Sequence, residues 1–562
     1  MTVDPVTLEV VRNSLVAYSE EMATALCKSA YNMMIYEVGD FCCGVIDTEG
    51  RMVSQNSGGL PIFLADLGTA VADGIERYGL DGFHPGDVVI MNHAETCGQH
   101  LNNMVIYSPC FVGDRLVAFS ANRAHWVDVG GMRTGFGSYE TTEIFHEGIQ
   151  LRSLKLFDGG QRNDAIWQIL EDNLRFPQSS LGDLRAQMAS CALGNRRLGE
   201  LHQRYGSDTV AACIAQVWDR SEAAARAVIE RIPDGTYRAA CRLDNDGRNL
   251  DTPLDIDIDV EIAGTDMIVD YSKMHPQVPT ALNSGYSGGL AAARVAFKCL
   301  TQPEAPVDEG CFRPLRLISP PGTMLNAQPP AAIGLWSVAL PSVVDTILRA
   351  LAPAMPAAVP AGHKGEMGGC SFYGYREDDG RRFLLMNIMG GGWGGRPERD
   401  GESAAVSNCQ GDVRNAPIEV QETNYPFIIE CHRLRADSGG AGTRRGGLGL
   451  EIQYRCLQDS LVNINLERSL DPPWGLNGGL PGAVNMAIIY RVDGSEEVVY
   501  KGTNIPLKAG DRVSFLTAGG GGYGDPAGRS PGEVAGDLAQ GLITPAAATR
   551  DYGPSSGEES EQ

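Results

Sequence analysis

Apolar residues at the start of the chain recur with helical spacing. They run from Leu8 to Leu26, and the pair Asp4-Pro5 before them is typical of a helix start. The pattern predicts one long amphipathic helix over residues 5 to about 35. The strings FCCGVID and MVSQ then predict a hairpin, and residues 62–79 predict a second helix that ends at a glycine.

Three strand-like runs follow, and two of them predict a second hairpin. GDVVIMN is the first run, and Val105–Tyr107 and LVAFSANRAH form the hairpin around a VGDR turn. Apolar residues at helical spacing, separated by Arg and Glu, predict helices over residues 163–232. After Pro233 the alternation changes to period two, which predicts strands, and the chain is strand-rich from about residue 371 to residue 517.

This order of elements predicts an α+β fold. We expect a large multi-layer chain with mixed or antiparallel sheets, a helical middle segment and a β-rich C-terminal part. Its end is rich in Ser, Gly, Glu and Ala, a composition that predicts disorder. The predicted parts are 1–162 with the candidate site, 163–232 helical, 233–370 α+β, 371–526 β-rich with Gly runs, and 527–562 a flexible tail.

Charge and cysteine content narrow the class of protein. The 562 residues carry a net charge of −24, which argues against nucleic acid or an anionic membrane as partner. The 14 Cys include no CxxC pair, so we expect free thiols and a cytoplasmic protein. The first residues are partly acidic and precede no short apolar core, so we expect no secretory signal and no membrane span.

Candidate chemistry is concentrated between residues 92 and 128. Three of the nine His of the chain fall in this stretch, beside amide and carboxylate side chains. Imidazole nitrogens with such oxygens suit zinc or manganese, although His near Asn and Asp is also common in hydrogen-bonded cores. The side chains concerned are His93, His100, Asn103, Asn122, His125 and Asp128.

Several common catalytic motifs do not occur in the sequence. There is no GxxxxGK[ST] string for a P-loop, and the Gly runs do not follow the strand–GxGxxG–helix order of a dinucleotide site. No GxSxG string stands in a strand–turn–helix context. By elimination, the His100 and His125 region is the best candidate for chemistry.

A set of strings in the same order along the chain is similar to the hydantoinase B/oxoprolinase family. The strings are GQHLNN, ANRAHWVDVGG, TEIFHEGIQL, GGWGGRPERDG, NAPIEVQETNYP, DSGGAGTRRGGLG, PPWGLNGGLPG and GGGGYGDP. They extend from roughly residue 5 to residue 526, almost the whole chain. The resemblance implies a B-type chain that works with an ATP-binding A-type subunit in a hetero-oligomer.

The resemblance also implies the chemistry. The A-type partner phosphorylates an amide or ketone oxygen, and the B-type chain completes either hydrolysis of a cyclic amide or carboxylation of a ketone. The cyclic amide would be a hydantoin, a lactam or a 5-oxoproline-like ring. A non-catalytic scaffold subunit is a third alternative. The family's metal site maps onto His100 and His125, with Asp40 as a further ligand and Asn122 as an additional candidate.

The sequence departs from the family pattern at the candidate site. His93 and Asn103 stand where the family has aspartates, and Trp126 replaces a histidine, which puts the substrate in doubt and predicts a site that favours zinc over magnesium. We assign Asp128 and Glu147 as candidates for orienting a ligand or transferring a proton. Three arginines are candidates for holding phosphate, although each is commonly structural: Arg123, Arg133 and Arg396.

Overall fold

The computed structural model describes residues 3–63, 66–135 and 137–553. The chain divides into two compact units, and both are built from separated segments of the sequence. The first unit comprises Met1–Tyr237, Asp259–Trp336 and Cys409–Arg414. The second comprises Arg238–Ile258, Ser337–Asn408 and Asn415–Gln562. Mixed helices and several sheets confirm the predicted α+β class.

The bounds of the elements are as follows. The helices are α1 Pro5–Ser29, α2 Met33–Tyr36, α3 Asp66–Tyr78, α4 Ala94–Cys97, α5 Asp164–Asn173, α6 Pro177–Tyr205, α7 Ser207–Ile229, α8 Tyr286–Thr301, α9 Trp336–Leu351, α10 Ile418–Asn424, α11 Pro531–Ala539 and α12 Pro545–Tyr552. The strands of the first sheet are β1 Phe41–Ile46, β2 Met52–Gln55, β3 Val88–Met91, β4 Asn103–Val112, β5 Arg115–His125, β6 Leu154–Asp158 and β7 Gln161–Arg162.

The remaining strands lie further along the chain. They are β8 Gly235–Leu243, β9 Leu254–Ala263, β10 Asp266–Asp270, β11 Leu315–Ile318, β12 Gly369–Tyr375, β13 Arg382–Ile388, β14 Phe427–Leu434, β15 Leu450–Cys456, β16 Ser460–Asn465, β17 Met486–Tyr490, β18 Glu496–Val499, β19 Lys501–Leu507 and β20 Arg512–Leu516. In β9 the chain passes from the second unit back to the first.

An antiparallel sheet of seven strands forms the centre of the first unit. Its order is β2-β1-β5-β4-β3-β6-β7, so the predicted hairpin β4–β5 occupies the middle. Helix α6 packs on one face, where Leu184 joins a core with Ile106 and Trp126. Burial of these large apolar side chains fixes which face of β4 and β5 looks toward α6.

Helix α1 is shorter than predicted. The apolar positions from Leu8 to Leu26 are buried as expected, but the helix ends at Ser29. The carboxylate of Asp183 accepts hydrogen bonds from the backbone N–H groups of Tyr31 and Asn32, at 2.7 and 3.1 Å. These bonds hold the chain out of the helix at that point, and a separate short helix α2 follows.

Helix α9 differs from its prediction in the opposite sense. Residues 341–352 were predicted to form a helix that begins at a proline, but α9 begins at Trp336 and contains Pro341. A proline within the first turns of a helix removes few intrahelical bonds, because the first N–H groups have no partner within the helix.

The second unit contains two antiparallel sheets, of order β13-β12-β16-β19 and β14-β15-β20-β17-β18. Its glycine runs lie outside these strands and bond to one another. The N–H of Gly392 donates to the Ala518 carbonyl at 2.9 Å, and that of Gly520 to the Gly447 carbonyl at 2.9 Å. A Cβ on Gly392 would lie 2.0 Å from the Gly447 oxygen, so the backbones approach too closely for side chains.

The predicted flexible tail is corrected over residues 527–553, which form α11 and α12. Ser530 and Glu533 make a capping box at the start of α11, and Thr544 caps α12. The two helices bury a small apolar cluster that includes Val534 and Ile543. Residues 554–562, where disorder was also predicted, lie outside the described residues.

Two other predictions concern cysteines and membranes. All 14 Cys are free thiols in the structure, and Cys42 and Cys43 are both buried, as expected for adjacent residues of an internal strand. Within the described ranges, no helix combines the length and the apolar character needed to cross a bilayer.

Candidate metal site

Three neighbouring strands bring predicted site residues into one row. In β5, His125 stands opposite Asn103 of β4, and Phe41 of β1 stands opposite Ala124. Asp40 is therefore level with His125 on its other side, and its carbonyl accepts the His125 N–H at 3.1 Å. Residues directly opposite in antiparallel strands point to the same face, so these three side chains share one face of the sheet.

His100 reaches this row from the turn that precedes β4. Its Nε2 lies 3.2 Å from Nδ1 of His125, and the ring centroids are 4.8 Å apart. Its Nδ1 lies 3.2 Å from the carbonyl oxygen of Gly334. A carbonyl only accepts, so Nδ1 carries the proton and Nε2 presents a lone pair toward His125.

Burial sets the charge state of these groups. Loss of solvent lowers the pKa of His100 to about 4, and it lowers the pKa of His125 further, helped by the nearby His100. Both imidazoles are therefore neutral at pH 7 and can donate lone pairs to a cation. Burial also raises the pKa of Asp40 to about 7, an effect that the positive charge of Arg123 opposes.

A buried amide and guanidinium support the site from beside the row. Gln99 uses its Oε1 to accept hydrogen bonds from Asn103 Nδ2, at 2.9 Å, and from the guanidinium of Arg123. The Asn103 amide is thereby turned so that its oxygen lies 3.3 Å from Nδ1 of His125. Arg123 is fully buried and is held against the ring of Phe63.

These atoms fit a bound divalent cation. Two nitrogens that ligate one tetrahedral zinc at ~2.0–2.1 Å stand roughly 3.3 Å apart, close to the observed 3.2 Å between the two imidazoles. The Oδ1 of Asp40 is buried and has no hydrogen-bond partner, as expected of a carboxylate oxygen kept for a cation. The donor set of two nitrogens and side-chain oxygens suits zinc or manganese.

The structure places Asn122 away from the histidines. Its neighbours Arg123 and Ala121 point to the opposite face, because side chains alternate along β5. The Asn122 amide donates to the Gln187 carbonyl at 2.8 Å and accepts from the Gln187 side chain at 3.0 Å, both in α6. Its hydrogen-bonding capacity is used in fixing α6 to the sheet.

His93 also lies outside the row. It precedes α4 and lines a cavity of about 170 Å³ together with Glu95, Phe145 and Ile333. Its pKa is lowered by burial and by Arg152. The structure therefore does not bring His93 to the imidazole pair as a replacement for a missing carboxylate.

Asp128 anchors the loop that follows the hairpin. The carboxylate is fully buried and accepts the N–H groups of Gly130 and Gly135, both at 2.9 Å. Arg175 donates to both carboxylate oxygens, at 3.1 and 2.9 Å. The same guanidinium donates to the carbonyls of Gly131 and Arg133, so a charged pair fixes the loop from inside.

Glu147 is buried beside the segment that contacts His100. One carboxylate oxygen accepts the backbone N–H groups of Ile333 and Gly334 at 2.7 and 2.6 Å. Burial raises the pKa of Glu147 to about 8. The carboxyl group therefore touches the backbone that holds His100 and does not contact the imidazole pair.

The candidate phosphate-binding arginines are dispersed. Arg123 lies buried at the histidine row, whereas Arg133 forms a partly exposed ion pair with Glu140 at 2.5 Å. Arg396 belongs to the second unit, where its backbone N–H bonds to the Arg399 carbonyl. Arg123 is the one of the three that the structure joins to the candidate site.

A second group of metal-ligand type lies elsewhere. Within the described part of the chain, a group of three His, Cys, Asp or Glu side chains with ligand atoms all within 4.8 Å of one another is formed by His84, Asp87 and Asp158. Lys155 already pairs with both carboxylates, at 2.9 and 2.7 Å. Its ammonium occupies the place of a cation, so this group is an internally neutralised ion pair.

Sequence reasoning missed three contributors to the site. Gln99 and Gly334 hold Asn103 and His100, and Trp336 packs edge-on against His100 with centroids 5.8 Å apart. Gln99 directly precedes His100, and a polar residue beside a candidate ligand is a signal that could have been used. Gly334 and Trp336 lie more than 200 positions away along the chain, and only the fold brings them to His100.

Comparisons with known proteins agree with this arrangement of residues. A family model for hydantoinase B/oxoprolinase matches residues 4–526. The chain is 30% identical to the B-type subunit of a putative D-/L-hydantoinase from a Pseudomonas species, over 98% of its own length and 95% of that protein.

Solved structures share the fold. An ATP-dependent caprolactamase from Pseudomonas jessenii superposes with a TM-score of 0.92 at 29% identity, covering 98% of this chain and 96% of that one. An acetone carboxylase from a study of ATP-dependent acetone carboxylation has a TM-score of 0.90 at 18% identity, over 98% and 79%. The second likeness is one of fold alone. The full-length match to the family model shows that the chain belongs to the hydantoinase B/oxoprolinase family.

Proposed function

We propose that this chain is the catalytic B-type subunit of an ATP-dependent enzyme that hydrolyses a cyclic amide. The substrate class is a hydantoin, a lactam or a 5-oxoproline-like ring. The observation that carries the proposal is the buried imidazole pair with its facing lone pairs, in a chain similar over its whole length to a B-type hydantoinase chain and to a caprolactamase.

A divalent cation, zinc or manganese, belongs to this proposal. His100, His125 and Asp40 would hold it, and Asn103 would offer a neutral oxygen beside them. When bound, such a cation supplies Lewis-acid chemistry, because it polarises a carbonyl or phosphoryl oxygen and makes water a better nucleophile at neutral pH.

The residues of the chain prepare that position. The two neutral imidazoles and the buried Asp40 carboxyl offer lone pairs where water is largely excluded, so electrostatic interactions are strong there. Gln99 and Arg123 hold the Asn103 amide in one orientation. A site whose side chains are already oriented does not need to reorganise when charge develops on the substrate.

Division of the reaction between two subunits follows from what this sequence lacks. No P-loop string occurs in it, so ATP would be used by an A-type partner that phosphorylates the amide oxygen. Phosphorylation makes that oxygen a good leaving group. The net reaction consumes ATP and water, opens the ring C–N bond to a carboxylate and an amine, and releases ADP and phosphate.

A ketone carboxylase subunit is the alternative in the same family. Its support here is a likeness of fold at 18% identity, whereas the relatives near 30% identity over full length are a hydantoinase chain and a caprolactamase. The departures from the family pattern at Asn103 and His93 leave the substrate itself to experiment.

Reconstitution with an A-type partner tests the proposal. The purified pair would be given ATP with a hydantoin, 5-oxoproline or ε-caprolactam, and in parallel with acetone or acetophenone plus bicarbonate. We expect ATP turnover and a ring-opened amino acid with a cyclic amide and no dependence on bicarbonate. Product formation only from a ketone, and only with bicarbonate, would replace the hydrolase with a carboxylase.

A further inference from the structure

The carboxyl group of Glu147 is joined to His100 through one backbone segment. Its Oε1 accepts two N–H groups, those of Ile333 and Gly334, at 2.7 and 2.6 Å. The carbonyl of Gly334 accepts the proton on His100 Nδ1 at 3.2 Å. One residue, Gly334, is therefore held by Glu147 through its N–H and holds His100 through its carbonyl.

The segment has little freedom to take another position. The N–H of Leu335, which shares a peptide unit with the Gly334 carbonyl, donates to the Ala281 carbonyl at 2.8 Å. A Cβ on Gly334 would lie 2.4 Å from Cα of Gly137 and 3.0 Å from the Glu147 oxygen. Glycine is required because the backbone passes between Glu147 and a second backbone.

The direction of the Gly334 carbonyl decides which nitrogen of His100 is free. A carbonyl that accepts from Nδ1 keeps the proton there and leaves the lone pair on Nε2, the atom that faces His125. If the segment moved, the neutral ring could take the other tautomer. Nε2 would then carry a hydrogen and could not ligate a cation.

We propose that Glu147 is a positioning residue that fixes the tautomer and ring orientation of His100 through the Gly334 peptide. The inference rests on the proposed function, because it assigns His100 the role of a cation ligand. It separates Glu147 from direct proton transfer, since its bonded oxygen is already shared by two N–H donors and its other oxygen is buried without a partner.

Three variants of the purified chain test this inference, with zinc as the probe. Glu147→Gln keeps an oxygen that accepts both N–H groups, and Glu147→Ala removes it. Glu143→Ala, in the same loop but partly exposed and paired with His146, is the matched control. Zinc affinity by competition with a chelator and the His100 tautomer by ¹⁵N NMR of the imidazole are measured for each.

We expect Glu147→Ala to weaken zinc binding by about 10- to 100-fold, the usual effect of losing a partner that orients a ligand. Its His100 signals should shift toward the tautomer protonated on Nε2. Glu147→Gln should bind zinc within about threefold of the unmodified chain, and Glu143→Ala should match it. Should Glu147→Ala fail to fold, Glu147→Asp, whose shorter side chain cannot reach both N–H groups, should show the same loss.

Two results would overturn the inference. One is a Glu147→Ala or Glu147→Asp chain that folds, binds zinc normally and keeps the Nδ1-protonated tautomer. The other is a Glu147→Gln chain as impaired as Glu147→Ala, which would make the acidic group itself necessary. If the unmodified chain binds no zinc, the proposed metal site fails, while the tautomer measurement still decides the role of Glu147.

Discussion

At the scale of single residues, the chemistry depends on two imidazoles that are neutral for a physical reason. Both rings are buried, and desolvation lowers the pKa of each below the pH at which proteins normally work. A neutral imidazole that keeps one proton on the far nitrogen has its other lone pair available. His100 meets that condition through its bond to Gly334.

Substitution of either histidine tests that availability. We expect His100→Ala and His125→Ala each to reduce zinc affinity by at least about 100-fold, because loss of a ligand costs more than the 10–100-fold typical of losing a ligand's hydrogen-bond partner. Isothermal titration calorimetry on the purified chain measures the affinity.

His84→Ala is the control for this prediction, since His84 belongs to the ion-paired group with Asp87 and Asp158. It should leave zinc affinity unchanged. If His84→Ala abolished binding while His100→Ala did not, the cation site would have been assigned to the wrong group.

The pH dependence of cation binding follows from Asp40. Its pKa of about 7 means that the ion-free carboxyl is protonated below pH 7, so a cation must displace that proton. We expect affinity to rise about tenfold per pH unit from pH 5 to 7 and then level off. Asp40→Asn should bind more weakly, with a flat profile over this range, as titration at several pH values will show.

The same shift has a sign for stability. The folded pKa of Asp40 lies above its unfolded value of 3.8, so the folded state binds more protons between about pH 4 and pH 7. This one group therefore lowers the stability of the ion-free protein as pH rises through that window. A bound cation removes the penalty, because the ionised carboxylate is then the favoured form.

Residue-level prediction from sequence succeeded where the strand register preserves sequence order and did not extend further. His100 and His125 were predicted from a motif and a hairpin, and the fold places them together. Asn122 lies on the wrong face because a strand alternates its side chains, a fact visible in the sequence once β5 was assigned. Gly334 could not be predicted, since its contact with His100 is set by packing of distant segments.

At the scale of elements, the loop after β5 depends on one buried ion pair. Arg175 of the segment before α6 donates to Asp128 and to two loop carbonyls. We expect Arg175→Met to destabilise the protein by about 3 kcal/mol, because it leaves the fully buried Asp128 carboxylate without its cation. Urea unfolding of the variant measures the change.

Arg133→Met is the matched control in the same loop, because Arg133 pairs with Glu140 in a partly exposed position. A loss of about 1 kcal/mol or less is expected there. Equal losses for the two variants would mean that the Asp128 pair does not anchor the loop.

The glycine runs of the second unit make a separate prediction. A Cβ on Gly520 would lie 1.9 Å from the Trp393 oxygen, so Gly520→Ala should destabilise by about 3 kcal/mol or more. Gly536→Ala, in α11 with nothing within 4 Å, should instead stabilise by about 0.5–1 kcal/mol. Thermal unfolding of both variants checks the opposite signs, and a tolerated Gly520→Ala would contradict the close packing of backbones.

Element prediction was strongest for long periodic segments and weakest at their ends. The helical middle segment appears as α5, α6 and α7, and the site hairpin as β4 and β5. The end of α1 was missed because it is set by Asp183, more than 150 positions away. The tail was assigned by composition, but capping side chains and a small apolar cluster fold its first part.

At the scale of the whole molecule, family membership places the chain among proteins named as subunits. The B-type chain of the putative D-/L-hydantoinase matches over 95% of its own length, so this chain corresponds to an entire subunit there. A B-type chain with a cation site and no P-loop string should be inactive toward a cyclic amide until an A-type partner and ATP are present.

The most direct test separates phosphorylation from ring opening in the reconstituted pair. With ATP and a cyclic amide that the unmodified enzyme accepts, ADP and ring-opened product are quantified together for the unmodified chain and for His125→Ala. We predict that His125→Ala still permits ATP turnover on the partner but forms at least about 100-fold less ring-opened product, a loss of about 2.7 kcal/mol in transition-state stabilisation. Ring-opened product formed at an undiminished rate by His125→Ala would contradict the assignment of the imidazole pair to catalysis.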